Sequence, residues 1–146
     1  MVLERFFPYR LACVAETVSQ AVARVYSERF KLSRDEWRVM AALAGLGEVK
    51  TARVLDSASL DKMRVSRAVA HLEASGLLAR AADPEDGRGD MLRLLPAGRA
   101  LHKKIVPMAL AREAYLLDAL TASERDVFQR ALVKVQARAE QLLRQG

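Results

Sequence analysis

Cysteine, aromatic residues and long apolar runs are scarce in this chain of 146 residues. Cys13 is its single cysteine, so an intrachain disulfide is excluded and a reducing compartment is expected. No apolar run reaches the roughly 20 residues that cross a membrane, and the N-terminal MVLERFFPYR lacks the hydrophobic core of a secretion signal. These absences favour a protein of the cytoplasm with no membrane partner.

The sequence also lacks the residue patterns of enzymes and metal sites. Its two histidines, His71 and His102, lie far apart, and no thiols or carboxylates complete a metal-ligand set at the usual spacing. It contains no nucleophile–base arrangement and no glycine-rich loop that would cradle a phosphate. We therefore expect no catalytic residue, no metal and no cofactor.

The composition is that of a globular protein with an excess of positive charge. Apolar residues make up 51% of the chain, charged residues 29%, and the net charge is +6. That charge permits a nucleic-acid partner. Residues 48–95, however, contain 8 basic and 8 acidic residues, so net charge decides little there. The positions of individual basic residues have to carry the argument.

Residues 60–76 have the most informative pattern in the chain. Apolar positions recur at the i, i+3, i+4, i+7 spacing of one helical face, namely at Val65, Ala68, Val69 and Leu72. The first turn and the opposite face carry small, polar and basic residues, namely Lys62, Met63, Arg64, Ser66, Arg67 and Ala70. Gly76 follows as the expected left-handed residue after the helix. A recognition helix in a major groove has this arrangement, and so does an ordinary amphipathic helix with a solvated basic face.

The flanking elements favour the recognition helix. Apolar periodicity predicts a first helix over residues 8–30, and Ser33 with Glu36 forms a capping box that starts a second. The expected core stripe of that second helix is Trp37, Met40, Leu43 and Ala44, and the expected end is at Gly45 and Gly47. A short helix over residues 51–57 and a turn over 58–61 complete a helix-turn-helix.

A β-hairpin is predicted directly behind this motif. Short apolar runs over residues 77–81 and 91–95 flank the turn-forming segment DPEDGRGD, which is typical of a hairpin. A hairpin in this place makes the motif a winged helix, with Arg88 at the wing tip.

Two long helices are predicted over residues 97–144. Pro96 suits the first turn, Pro107 is expected to kink or interrupt the helix, and Thr121 with Glu124 repeats the capping-box spacing. The apolar stripes of the terminal helices need a partner, and the simplest partner is a second copy of the chain. The predicted fold is mainly α with a small β-hairpin wing. A single subunit, 1–146, holds a winged helix-turn-helix lobe, 33–96, between dimerisation helices, 8–30 and 97–144.

From about residue 30 to 100 the chain resembles the multiple-antibiotic-resistance regulator (MarR) family of bacterial transcription factors. The resemblance lies in EWRV at 36–39, DKMRVSR at 61–67, LEASGLLAR at 72–80, DPEDGR at 83–88 and LLPAG at 94–98. Two positions depart from the family. Its wing usually carries Asp-Arg-Arg, where this chain has Gly87 in the middle, and its fifth helix usually starts at Thr, where this chain has Pro96. The first departure removes a cation from the wing and the second removes a helix cap.

This resemblance implies a homodimeric repressor that binds a pseudo-palindromic DNA operator. Arg64 and Arg67 are expected at base edges, Arg88 in the minor groove, and Lys50, Lys62, Ser66 and His71 at phosphates. Asp86 is expected to hold Arg88 in place. With Met63 on the same outward face, the full set of expected DNA-binding residues is Lys50, Lys62, Met63, Arg64, Ser66, Arg67, His71, Asp86 and Arg88.

The resemblance also implies a small-molecule effector, frequently aromatic or phenolic, or an oxidant. An aromatic wall beside cations suits such a ligand, and the candidates are Arg10, Cys13, Trp37, Arg38 and His102. Singly, Trp37 is interpreted as core, Arg10 and Arg38 as ion-paired, and Cys13 as a small buried residue. Peroxide-sensing relatives pair such a cysteine with tyrosines, which Thr17, one turn on, does not supply.

Two alternatives stay open: a single-cysteine redox-sensing repressor through Cys13, and a winged-helix module that binds protein. DNA binding would differ from protein binding by its steep salt dependence.

Overall fold

The computed structural model describes residues 1–87 and 89–146, so the wing-tip Arg88 lies outside the described residues. After a short 3₁₀ turn (Leu3–Arg5) come α1 (Phe7–Phe30), α2 (Arg34–Leu46), β1 (Val49–Lys50), α3 (Thr51–Ala58), α4 (Lys62–Ala74), β2 (Leu78–Ala82), β3 (Asp90–Leu94), α5 (Pro96–Leu117) and α6 (Ala122–Gln145). The strands form an antiparallel sheet in the order β1-β3-β2. No helix built from the described residues is long and apolar enough to span a membrane.

Helix starts agree closely with the sequence-based predictions. The Ser33 hydroxyl accepts the Glu36 backbone N–H at 3.1 Å, and the Glu36 carboxylate accepts the Ser33 N–H at 3.2 Å. Thr121 and Glu124 make the same reciprocal pair at 3.1 and 2.9 Å. Gly76 has a φ of 74°, in the left-handed region expected after α4. Both capping boxes and the glycine stop are therefore confirmed.

Four details differ from the sequence-based predictions. Ala44 is exposed, because the buried face of α2 runs through Val39, Met40, Ala42 and Leu43. Gly45 lies inside α2, and Gly47, with a φ of 76°, ends it. Strand β1 was not predicted, because two residues are too short to show alternation. Helix α5 runs through Pro107 without the interruption that was one of the two outcomes expected there.

The core lies in a compact unit that comprises Met1–Ala109. The apolar face predicted for residues 60–76 is buried there in full, since Val65, Ala68, Val69 and Leu72 are at most 3% exposed. Other fully buried side chains come from the remaining elements of the unit, including Met40, Leu43, Val54, Leu78, Leu92 and Ile105. Burying one face of α4 in this way fixes its opposite face towards solvent.

Residues Leu110–Gly146 form a second compact unit. It contains the end of α5 and all of α6, and no residue of α6 is buried. Large apolar side chains of α6 are instead exposed, namely Val127, Phe128, Leu132, Val133, Val135, Leu142 and Leu143. The apolar stripe predicted for the last helix is thus present, and its large side chains are exposed among the described residues.

A stability prediction follows from the start of α5. A Cβ built on buried Gly98 would overlap the carbonyl oxygen of Leu77, a backbone atom that cannot move aside cheaply. We expect Gly98→Ala to lower the free energy of unfolding by about 1–3 kcal/mol or more. Gly45→Ala is the control, because a Cβ there meets nothing within 4 Å and alanine favours the helix. In urea titrations the control should have a free energy of unfolding equal to or above that of the parent. A Gly98→Ala protein as stable as the parent would contradict the close packing of Gly98 against Leu77.

Candidate DNA-binding interface and effector cavity

Helix α4 begins at an N-cap that the sequence analysis placed only in a turn. The Asp61 carboxylate accepts the backbone N–H of Arg64 at 2.9 Å, which satisfies one of the free donors of the first turn. The exposed face beyond this cap has Met63, 68% exposed, and Arg67 near its middle, with Ala70 one turn further. Small and long residues therefore alternate on the face that points away from the core.

The two edges of that face border different surface cavities. One cavity, of about 420 Å³, lies against the start of α2 and includes Arg64, Arg67 and His71 in its lining. The other, of about 360 Å³, lies against the sheet and is lined among others by Lys50, Lys62, Ser66 and Asp86. The described residues expected at DNA are thus brought to one region of the molecule, Met63 between the two edges.

Arg64 has a partner that the sequence did not indicate. Its Nε lies 3.0 Å and its Nη2 2.6 Å from the two carboxylate oxygens of Asp35, in the first turn of α2. The Arg64 guanidinium holds the pKa of Asp35 below its usual range, with burial acting in the opposite sense. No ion pair joins Arg67 to any residue that the structure describes, so the two arginines differ in electrostatic setting.

Lys50 is engaged at the base of the wing. Its Nζ lies 3.0 Å from Oδ2 of Asp83, whose side chain is only 4% exposed. Oδ1 of Asp83 accepts the backbone N–H of Glu85 at 3.0 Å. This backbone hydrogen bond first, and Lys50 second, lower the pKa of Asp83. Lys50 therefore anchors the start of the wing loop. The sequence predicted only a phosphate contact for Lys50 and not this ion pair.

A second cation connects the wing to the recognition helix. Arg80 on β2 lies 3.2 Å from Glu73 of α4 and 3.3 Å from Asp90 of β3. Ion pairs of this partly exposed kind add little stability singly, but together they fix the direction in which the hairpin leaves α4. Lys62 and Ser66 line the same surface cavity as Arg80.

Part of the expected effector site forms an aromatic stack. The ring of Trp37 lies between Tyr26, at 5.3 Å and 19°, and His102, at 5.5 Å and 20°. Burial lowers the pKa of His102. Trp37 is half-buried against the core, as the sequence analysis proposed for it. Tyr26, which is 3% exposed, was not predicted as part of the aromatic wall. Its position in the apolar stripe of α1 does not distinguish it from an ordinary core residue.

A cavity of about 410 Å³ opens between α1, the start of α2 and the start of α4. Its lining is formed by Ala12, Ala15, Glu16, Ser19, Ser33, Arg34, Asp35, Arg38 and Arg64. Arg34 pairs with Glu16 at 2.9 Å, whereas Arg38 forms no ion pair with any described residue. We call this space the α1–α2–α4 cavity. Arg38 is the candidate effector residue that lines it, and the ion pair considered for Arg38 is not seen.

Arg10 and Cys13 lie on the exposed first half of α1 and are not among the residues that line this cavity. The interpretation of Cys13 as a small buried residue was wrong, because the described part of the chain does not cover the first turns of α1. Thr17 supplies no tyrosine, but Tyr9 on the preceding turn lies near Cys13. The Tyr9 hydroxyl, one turn before the thiol, hydrogen-bonds to Cys13, and this raises the pKa of Tyr9.

Comparison with known proteins agrees with this geometry. The model of the MarR family matches residues 30–89. The HTH-type transcriptional regulator YxaD of Bacillus subtilis is 29% identical over 97 residues, which are 66% of this chain and 68% of that protein.

Solved structures extend the likeness to nearly the whole chain. The MarR family transcriptional regulator SPO1453 from Silicibacter pomeroyi is 30% identical, with a TM-score of 0.76 over 93% of this chain and 98% of that one. BpsR of Bordetella bronchiseptica, whose DNA binding is regulated by 6-hydroxynicotinic acid, shares the fold at a TM-score of 0.84 and 24% identity, over 93% and 96% of the two chains. The winged-helix fold expected from the sequence is confirmed, with a third strand added. The chain is therefore a member of the MarR family, a DNA-binding transcriptional regulator with a winged helix and not an enzyme.

Proposed function

We propose that this protein is a homodimeric repressor that reads a pseudo-palindromic operator and leaves it when a small aromatic acid binds. The observation that carries the proposal is the exposed face of α4, where Arg67 lies near the middle and has no ion-pair partner among the described residues. A charged arginine can donate two hydrogen bonds to guanine in the major groove. The small side chain of Ala70 allows the helix to approach the base edges closely.

The edges of α4 are assigned to the DNA backbone. Three residues at these edges are proposed to contact phosphates on the two sides of the groove. Lys62 and Ser66 lie on the side of the wing, and His71 lies on the side of α2. Such contacts fix position and orientation, and the central residues supply sequence preference. Family membership favours this DNA-binding role over the module that binds protein.

The proposed partner in the dimer is a second copy of this chain. Helices α1 and α6 expose apolar side chains at helical spacing, among them Phe7, Leu11, Val14 and Val18 on α1 and Phe128, Leu132 and Val135 on α6. A pair of equivalent faces related by a two-fold axis can cover both at once. The same axis would place two recognition helices in successive major grooves, roughly 34–36 Å apart.

The proposed effector site is the α1–α2–α4 cavity. Its volume of about 410 Å³ accommodates an aromatic ring with one or two substituents. Arg38 offers a charge with no carboxylate partner among the described residues, which suits an anionic ligand. The regulation of BpsR by 6-hydroxynicotinic acid supports an aromatic carboxylate. Arg64 belongs both to the cavity wall and to α4. A ligand in the cavity would therefore change the position of a side chain on the recognition helix.

Operator release by 6-hydroxynicotinate tests the effector site. An operator is first selected by the purified protein from random duplex DNA, and its affinity is measured with and without the acid. We expect the acid to weaken operator binding about 5–150-fold, the usual range of allosteric coupling. Arg38→Gln should abolish most of this response and keep operator affinity without acid.

Arg99→Gln, an exposed charge on α5, is the control for lost positive charge. If Arg38→Gln responds to the acid as fully as Arg99→Gln does, the cavity is not the effector site. If nicotinate-type acids release neither the parent nor any variant from the operator, the oxidant alternative is favoured. The exposed Cys13 thiol beside Tyr9 favours that alternative, in which peroxide releases the parent protein and not Cys13→Ser.

A further inference from the structure

Asp35 contacts the recognition helix without belonging to it. Its carboxylate, in the first turn of α2, accepts one hydrogen bond from Nε of Arg64 at 3.0 Å and one from Nη2 at 2.6 Å. We propose that Asp35 is a positioning residue for DNA recognition, which holds the Arg64 guanidinium side-on so that its free edge reads a base. This inference rests on the proposed function and adds Arg64 to Arg67 as a base-reading arginine, with Asp35 as the residue that orients it.

The donors of Arg64 allow both contacts at once. A guanidinium has five N–H donors in one plane. The contact with Asp35 occupies the N–H of Nε and one N–H of Nη2, which leaves both donors of Nη1 and one of Nη2. Guanine offers two acceptors, O6 and N7, and a bidentate contact needs only two donors on one edge. The Arg64 side chain is 46% exposed, so that remaining edge is open to DNA.

Asp35 is held in place by its own surroundings. It lies at the positive end of the α2 dipole, and its side chain is only 29% exposed. Arg64, Arg38 and Arg34 all favour its ionised form, and its pKa is lowered accordingly. The carboxylate is therefore charged at neutral pH, as a rigid acceptor for Arg64 has to be.

This geometry has two consequences for binding. An arginine ordered before DNA arrives loses less conformational freedom on binding, which strengthens the specific complex. A guanidinium whose charge is compensated attracts phosphates less, which weakens the non-specific complex. Both effects raise the ratio of operator affinity to non-specific affinity, whereas a purely structural ion pair would leave that ratio unchanged.

The test compares Asp35→Asn with the parent on the selected operator and on a scrambled duplex of equal length, over a series of salt concentrations. We expect the ratio of the two affinities to fall about tenfold, the usual discrimination of one bidentate base contact. The scrambled duplex should bind as well as before or better, with a steeper salt dependence, because Arg64 has become an uncompensated cation. Glu48→Gln is the matched control, since it removes one carboxylate from an ion pair, 3.6 Å from Arg93 on β3, that does not involve α4.

A double-mutant cycle with Arg64→Ala separates positioning from other effects. If Asp35 acts through Arg64, Asp35→Asn should leave the affinity ratio of the Arg64→Ala protein unchanged. If Asp35→Asn and Glu48→Gln have equal ratios of operator affinity to scrambled-duplex affinity, the inference is overturned. Tighter operator binding by Asp35→Asn would also overturn it, because Asp35 would then keep Arg64 away from the DNA. If the parent itself shows no sequence preference, the proposed function fails and the inference fails with it. If the parent is sequence-specific but Asp35→Asn leaves its affinity ratio unchanged, the inference is refuted and the proposed function stands.

Discussion

Phe128→Asp is expected to convert the proposed dimer into monomers and to reduce operator affinity by about 10²–10⁴-fold. Phe128 lies on the apolar stripe of α6, a helix of 24 residues of which none is buried within the part of the chain that the structure describes. A carboxylate in the middle of the covered interface would be buried without a partner, which costs several kcal/mol. Once the two recognition helices are no longer joined, the advantage of binding both half-sites together is lost, and that advantage is commonly of this size.

Ala137→Asp is the matched control for this change. It introduces the same residue into the same helix, but helical phase places Ala137 opposite Phe128. Sedimentation velocity should show monomers for Phe128→Asp and dimers for Ala137→Asp, and circular dichroism should show unchanged helix content in both. A Phe128→Asp protein that stays dimeric at micromolar concentration would rule out α6 as the dimer interface.

The helix boundaries and the buried face of α4 were predictable because their signals are local. Capping boxes, a glycine stop and a buried stripe depend on residues three or four apart, and Ser33, Thr121 and Gly76 behave as those spacings indicate. The core stripe of α2 was misplaced at Ala44 because an alanine fits either face, and only packing decides which face is covered. Strand β1 exists through its pairing with β3, which no property of Val49 and Lys50 reveals.

The sequence pointed to candidate DNA-binding residues but not to their ion-pair partners in the fold. The sequence identified Arg64 and Lys50 but treated each as a free cation. Asp35 lies 29 residues from Arg64 and Asp83 lies 33 residues from Lys50, so these pairs become visible only when the chain folds back on itself. The stack of Tyr26, Trp37 and His102 has the same origin, since it joins three separate helices.

Arg67→Ala is expected to weaken operator binding by about 1–3 kcal/mol for each half-site, and hence by roughly 2–6 kcal/mol for the dimer. The reason is that Arg67 has no carboxylate partner among the described residues and lies near the middle of the exposed face of α4. Its loss removes a bidentate base contact, and alanine at this exposed position should leave the fold intact because helix propensity is maintained.

Salt dependence then decides what kind of contact Arg67 makes. A base reader that is lost should reduce discrimination against altered base pairs, with little change in the slope of affinity against salt. A lost phosphate contact should weaken all duplexes alike and lower that slope by about one for each subunit. Arg99→Ala, which removes an exposed charge from α5, sets the baseline for charge loss elsewhere. If Arg67→Ala matches Arg99→Ala on the operator, with both proteins folded and dimeric, then α4 does not read the DNA through Arg67 and the central assignment of the interface is wrong.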